Sequence, residues 1–148
     1  MRIVVDASVA LKWYLKDRPE EQYVEQAINI GDLIESGGLE LFAPPHWQFE
    51  VIAVLARLAP HTINEAIVEL PAMCKPSLPV SSVLRRAAGL AIRLNHHLFD
   101  TLYHAVALET GATLVTADDR YFAKARSQGH IVLLRDFQYP PESPATTT

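Results

Sequence analysis

Residues 99–122 read FDTLYHAVALETGATLVTADDRYF. Apolar residues recur at helical spacing in the first half, at Phe99, Leu102, Tyr103, Val106 and Ala107. Gly111 supplies the helix stop, because it accepts the left-handed conformation that a C-terminus often adopts. Thr113 to Thr116 is a short β-branched run, the pattern of a strand covered on both faces. Asp118 follows its carboxyl end, and a further helix begins at Asp119. Helix, turn, strand and helix in this order define an α/β unit. In such units the carboxyl ends of parallel strands open into the binding crevice. One segment therefore aims two carboxylates, Asp100 at the head of its first helix and Asp118 after its strand, toward one place.

The rest of the chain repeats the alternation. Arg2 to Val5 is an apolar strand that ends at Asp6, and Ala7 to Leu15 is a helix with Val9, Ala10, Trp13 and Tyr14 on its apolar stripe. Pro19 suits a first helical position, so a helix is expected over Glu20 to Glu35 with Tyr23, Ala27, Ile30 and Ile34 inward. Leu39 to Ala43 reads as a strand, and Pro44 and Pro45 introduce a helix over His46 to Leu58. Ile63 to Cys74 is expected to be helical, with Pro71 breaking or capping it. Leu78 to Val80 reads as an edge strand. Ser81 and Ser82 are candidate caps for a helix to Asn95 with Leu84, Ala88, Ala91 and Ile92 inward. Ile131 to Leu134 is the last strand. The expected fold is a three-layer α/β/α sandwich around a small, mostly parallel sheet of about four or five strands. Residues 1–137 form one domain, and residues 138–148, rich in Pro, Ser and Thr, read as a flexible tail.

Composition narrows the function. Asp+Glu 17 against Lys+Arg 13 gives a net charge of -4, which excludes a protein held on nucleic acid by bulk charge but not a basic rim around an acidic site. The lone Cys74 cannot form an internal disulfide, which fits a reducing cytoplasm and a structural thiol. No stretch is long and apolar enough to span a bilayer.

Asp6, Asp100 and Asp118 each stand where an N-cap would, and capping is the plain alternative for each taken singly. Glu50 has no such explanation. It lies inside a helix near Trp47 and Val54, where an unpaired Glu is rare; its plain alternatives are a snorkelling position at the edge of that face or a pairing with Arg57, which is too far along for the favoured helical pairing. Two carboxylates about 4 Å apart repel by about 4 kcal/mol at an effective dielectric near 20. If the four converge, some are protonated or a hard divalent cation sits among them. No Cys/His set has zinc spacing.

DAS at residues 6–8, Glu50 in FEVIAVLAR, FDTLYHAVA and LVTAD together resemble the PIN-domain proteins, and most of all the small VapC-type toxins. The resemblance runs in order from Met1 to about Phe137. It implies a ribonuclease that uses Mg²⁺ or Mn²⁺, with Asp6, Glu50, Asp100 and Asp118 as catalytic acids and Asp6, Asp100 and Asp118 as metal ligands. Ser8 and Thr116 match supporting hydroxyl positions, and Asp119 is an additional acid whose alternative is a first-turn residue favoured by the helix dipole. The resemblance further implies an RNA substrate, a cognate antitoxin that masks the site, and a homodimer. Lys12 and Arg120, each within two helical turns of a site carboxylate, are the candidate phosphate contacts. His104 is expected to be a core or surface histidine, and His96 and His97 carry no assigned chemistry. Trp13, Tyr14 and Tyr103 are expected as core or interface aromatics. Two rivals are an inactive PIN-fold RNA-binding or scaffold protein and a phospho-acceptor domain. The second needs a lysine near the last strand, where IVLLRDF has arginine, and it leaves Glu50 unexplained.

Overall fold

The computed structural model describes residues 1–76 and 78–140. Among the described residues four strands form, β1 (Arg2–Val5), β2 (Glu40–Phe42), β3 (Thr113–Thr116) and β4 (Ile131–Leu133), in the order β2-β1-β3-β4. Every pairing is parallel. Neighbouring strand residues point to opposite faces. Ile3, Val4 and Val5 of β1 and Leu114, Val115 and Thr116 of β3 are nevertheless all fully buried. Both faces of the sheet are therefore covered, as the continuous apolar runs require, and the fold is an α/β/α sandwich.

The covering helices are α1 (Ala7–Tyr14), α2 (Val24–Glu35), α3 (Trp47–Leu58), α4 (Ile63–Met73), α5 (Val80–Leu94), α6 (Leu98–Thr110) and α7 (Asp119–Ala125). Helix α6 packs on β1, β2 and β3 with α5 against it, while α1 packs on β1 and β3 and contacts α2 and α3. From Thr101 to Ala107 every residue of α6 is buried, so the helix is wrapped almost all round rather than on a single stripe. Gly111 caps it at φ 69°, in the left-handed region.

Several sequence expectations give way. Helix α2 starts at Val24, not Glu20, because Tyr23 is left-handed (φ 57°) and exposed. Before it, Glu20 and Glu21 are taken by Arg18 (2.7 Å) and Lys12 (2.9 Å), which hold the segment as a turn. No strand forms at Leu78–Val80. Pro79, at φ −55° and ψ 124°, precedes the first turn of α5, and the free edge of β2 is met instead by Cys74, bridged to Leu41. Neither serine caps α5, since Ser82 donates back to the Pro79 carbonyl at 3.0 Å. The buried face of α5 is Val83, Ala87 and Leu90, and Leu84, Ala88 and Ile92 look outward. Pro71 lies within the last turn of α4, where little helix remains to break. The Cys74 thiol is pushed up to about 11 by burial, consistent with a structural role. The expected tail from residue 141 onward lies outside the described residues. Among the described residues no helix is long and apolar enough to cross a membrane.

Candidate active site

Asp6 leaves β1 and caps α1, its Oδ1 accepting from the Val9 amide at 3.3 Å. Two hydroxyls close around it. Ser8 Oγ donates to Oδ1 and Thr116 Oγ1, at the end of β3, donates to Oδ2. Ser8 Oγ also accepts from the Ala117 amide at 3.1 Å, and Thr116 Oγ1 accepts from the Asp118 amide at 3.0 Å. The ends of β1 and β3 are thus sewn together through one carboxylate. The position of Thr116 follows from parallel register, which sets Val5 beside Val115. Asp118 caps α7 by accepting from the Tyr121 amide at 3.0 Å. The capping alternative therefore holds for Asp6 and Asp118, alongside whatever else their free lone pairs do.

Glu50 and Asp100 arrive from helices. Glu50 lies in the first turn of α3, not in mid-helix as its sequence surroundings imply. Its partners come from outside the helix and from its start. Tyr103 Oη donates to Oε2 at 2.5 Å, and His46 Nε2 stands 3.6 Å from Oε1. Asp100 lies in the first turn of α6 and is not its N-cap, which is His97. Its Oδ2 accepts from His96 Nε2 at 2.8 Å.

Two buried phenols lie within electrostatic reach of these acids. Burial pushes the Tyr103 hydroxyl up, helped by its bond to Glu50 and by the charges of Glu50, Asp6 and Asp100. The Tyr121 hydroxyl is pushed up by burial and then by Asp100, Asp6 and Asp118. Asp6 and Asp100 act on both rings, Glu50 on Tyr103 and Asp118 on Tyr121. Asp6 itself is pushed up to about 6, chiefly by burial and also by the charge of Asp118, against the opposing bonds from Ser8, Thr116 and Val9. His46 is held below its ordinary value by burial, opposed by Glu50. Its Nε2 faces the Phe99 carbonyl at 2.9 Å, and its buried Nδ1 has no partner.

Among the described residues no three His, Cys, Asp or Glu side chains are grouped closely enough to cage a metal ion as they stand. The donor set suits a hard cation in kind, being carboxylate oxygens. A magnesium-type ion takes only one or two carboxylates directly and keeps several waters. Burial, far more than the charge of Asp118, disfavours the ionised form of Asp6, and a cation beside the carboxylate would favour it.

Other expected residues take other places. Lys12 is buried and ion-paired with Glu21, so its charge is engaged within the fold. Asp119 turns outward to Arg135 at 2.7 Å, with its side chain 67% exposed. Arg120 is exposed beside it. His104 is a core residue. Its Nε2 donates to the Gly129 carbonyl at 2.7 Å, Nδ1 accepts from Tyr121 Oη at 3.0 Å, and burial lowers its proton affinity. Sequence reasoning treated Tyr103 as packing only and gave His46 and His96 no role. The spacing of both His–acid pairs, His46 with Glu50 and His96 with Asp100, is i,i+4, a signal that could have found them.

A parallel α/β/α sandwich with carboxylates just beyond its strand ends places hard oxygen donors at the crevice edge. The profile of the PIN domain matches residues 3–127, and the chain belongs to that family. The crystal structure of PAE2754 from Pyrobaculum aerophilum is similar in fold, with a TM-score of 0.57 at 19% identity over 91% of this chain and 93% of that one. No curated protein matches the chain significantly.

Proposed function

We propose that this PIN domain is an Mg²⁺- or Mn²⁺-dependent endoribonuclease, the toxin of a type II toxin–antitoxin pair. The observation that carries the reading is the placing of Asp6 and Asp118 at the ends of neighbouring strands, joined through Thr116, with Glu50 tied to Tyr103 of the helix that carries Asp100. No packing requirement explains why acids just beyond the ends of β1 and β3 and in the first turns of α3 and α6 should be linked in this way.

Asp6, Asp100 and Asp118 would hold the cation. When bound, it supplies positive charge that polarises the phosphodiester and the attacking water. Ser8 and Thr116 keep both oxygens of Asp6 fixed and favour its ionised form. Glu50 is anchored by Tyr103 and takes no part in the hydroxyl bonds that link the strand ends, which suits it to take the proton from water. Arg120 remains a candidate phosphate contact. Lys12 would first have to leave Glu21.

For the antitoxin and for a second copy, the support is apolar surface beside the acids. Phe49 and Phe99 are 77% and 59% exposed. A groove of about 190 Å³, lined by Phe42, Pro44, His46, Leu84 and Leu102, lies next to them. The inactive-module reading draws on one observation, the lack of a closed three-donor cage among the described residues.

One assay separates the two. Single-stranded RNA is incubated with the protein in Mn²⁺, in Mg²⁺ and in chelator, beside Asp100→Asn. Cleavage that needs the metal and is lost in Asp100→Asn supports the nuclease. Binding without metal-dependent cleavage supports the inactive module.

A further inference from the structure

A small polar cavity lies beside the acid site, at the carboxyl ends of β3 and β4. It encloses about 110 Å³ and is lined by Lys12, Tyr23, Thr116, Ala117, Asp119 and Arg135. Thr116 also donates to Asp6, so one side chain separates the cavity from the first acid. Lys12 reaches it from the last turn of α1. Its side chain is only 9% exposed, and its ammonium meets Glu21 Oε2 at 2.9 Å. Glu21 belongs to the connection between α1 and α2. Its neighbours Glu20, Gln22 and Tyr23 are exposed, and Glu21 alone of the four turns inward. The connection ends on Tyr23, left-handed at φ 57° and giving α2 no side-chain cap. A tyrosine is uncommon in that region, so its surroundings hold it there rather than its own preference.

A lysine ammonium is a compact charge that pairs with any oxygen anion, carboxylate or phosphate. We propose that this cavity is a subsite for a phosphate of the RNA chain, and that in the free protein the Glu21 carboxylate occupies the place of that phosphate on Lys12. The assignment rests on the ribonuclease reading above. Glu21 and the RNA compete for one cation. A site that is open only part of the time binds with an affinity reduced by the open fraction. Glu21 therefore weakens RNA binding without touching the acids, and the contact it blocks positions the chain without reading its sequence.

Binding of a fluorescein-labelled single-stranded RNA, followed by anisotropy at low salt in chelator, tests this with no cleavage intervening. Glu21→Gln keeps an acceptor for Lys12 and removes the charge. It should tighten binding about fivefold or more, while Glu20→Gln, the same charge change on the exposed neighbour, should stay within about twofold of wild type. Lys12→Gln should weaken binding and cancel the gain, so that adding Glu21→Gln to it changes affinity less than about twofold. Urea midpoints show that each variant is folded. If Lys12→Gln does not fold, the comparison of Glu21→Gln with Glu20→Gln decides. Equal affinity in wild type and Glu21→Gln overturns the subsite. A gain of equal size in Glu20→Gln, or one that persists beside Lys12→Gln, is general repulsion of RNA and overturns it as well. Inorganic phosphate that raises the melting temperature of Glu21→Gln while RNA binds every variant alike assigns the cavity to a free anion and overturns the RNA contact. RNA binding by none of the proteins overturns the ribonuclease reading itself, a result distinct from failure of the subsite, in which all of them bind RNA equally.

Discussion

Tyr103 Oη donates to Glu50 Oε2 at 2.5 Å, tying α6 to the first turn of α3. The phenol is almost wholly buried, while the Glu50 side chain keeps 35% exposure. Tyr103→Phe removes the donor and keeps the ring. Hydrogen bonds to charged groups contribute about 1.5–3 kcal/mol. Glu50 can turn to water once released, so the expected loss lies near the lower end of that range. Urea denaturation should show a lower midpoint with an unchanged slope. RNA cleavage should fall as well if Glu50 takes the proton from water, because the base would no longer be held in place.

Asp6 links stability to pH and to cations. Its folded-state value of about 6 lies above the 3.8 of a free side chain. Below about pH 4 the carboxyl is protonated in both states and the term vanishes. Between the two values the unfolded chain ionises first, so stability falls as pH rises, and above about pH 6 the whole penalty is present. At 1.36 kcal/mol per pH unit this is about 3 kcal/mol. Asp6→Asn should therefore stabilise the metal-free protein at pH 7 and lose that advantage at pH 4, while abolishing cleavage. Mn²⁺ at pH 7 should raise the melting temperature of wild type more than that of Asp6→Asn.

His104 acts in the opposite sense. Burial lowers its proton affinity, chiefly by desolvation. The unfolded chain binds the proton first as pH falls below the ordinary histidine value, so the contribution of His104 is complete above about 6.5 and is lost on acidification. Replacing it with Gln should flatten the acid side of the stability curve between about pH 6.5 and 5. The same replacement should lower stability at pH 8, because the bonds to Gly129 and Tyr121 lose their ring.

The strand ends were legible because β1 and β3 are unbroken apolar runs, and such runs announce both their burial and their termination at Asp6 and Asp118. The partners of the acids were not legible, since Tyr103 meets Glu50 across 53 residues and only the fold brings them together. Helix α5 was misjudged for a different reason. Its sequence carries two apolar stripes about one residue apart, Val83/Ala87/Leu90 and Leu84/Ala88/Ala91 with Ile92 beside it, and periodicity cannot say which one meets α6. Stability measurements separate them. Leu90 is fully buried, so Leu90→Ala should cost about 2–5 kcal/mol. Ile92 is 82% exposed, and Ile92→Ala should stay within about 0.5 kcal/mol of wild type.

The hydroxyls around Asp6 give the last prediction. Ser8 and Thr116 both donate to the carboxylate, and both bonds lower its proton affinity against the larger effect of burial. Removing either donor leaves burial and the Asp118 charge less opposed, so the Asp6 value must rise above about 6. The two replacements differ in what else they release. Ser8→Ala orphans the Ala117 amide, and Thr116→Val, close in shape, orphans the Asp118 amide. A lost bond with a buried partner costs about 1–3 kcal/mol, so both variants should also be less stable. If cleavage requires ionised Asp6, the acid limb of its pH–rate profile should move to higher pH in both variants, and Mn²⁺ in excess should move it part of the way back. A limb that stays in place in Ser8→Ala and in Thr116→Val would mean that the group governing it is not Asp6, and the proton-sensitive step would then belong to another member of the acid cluster.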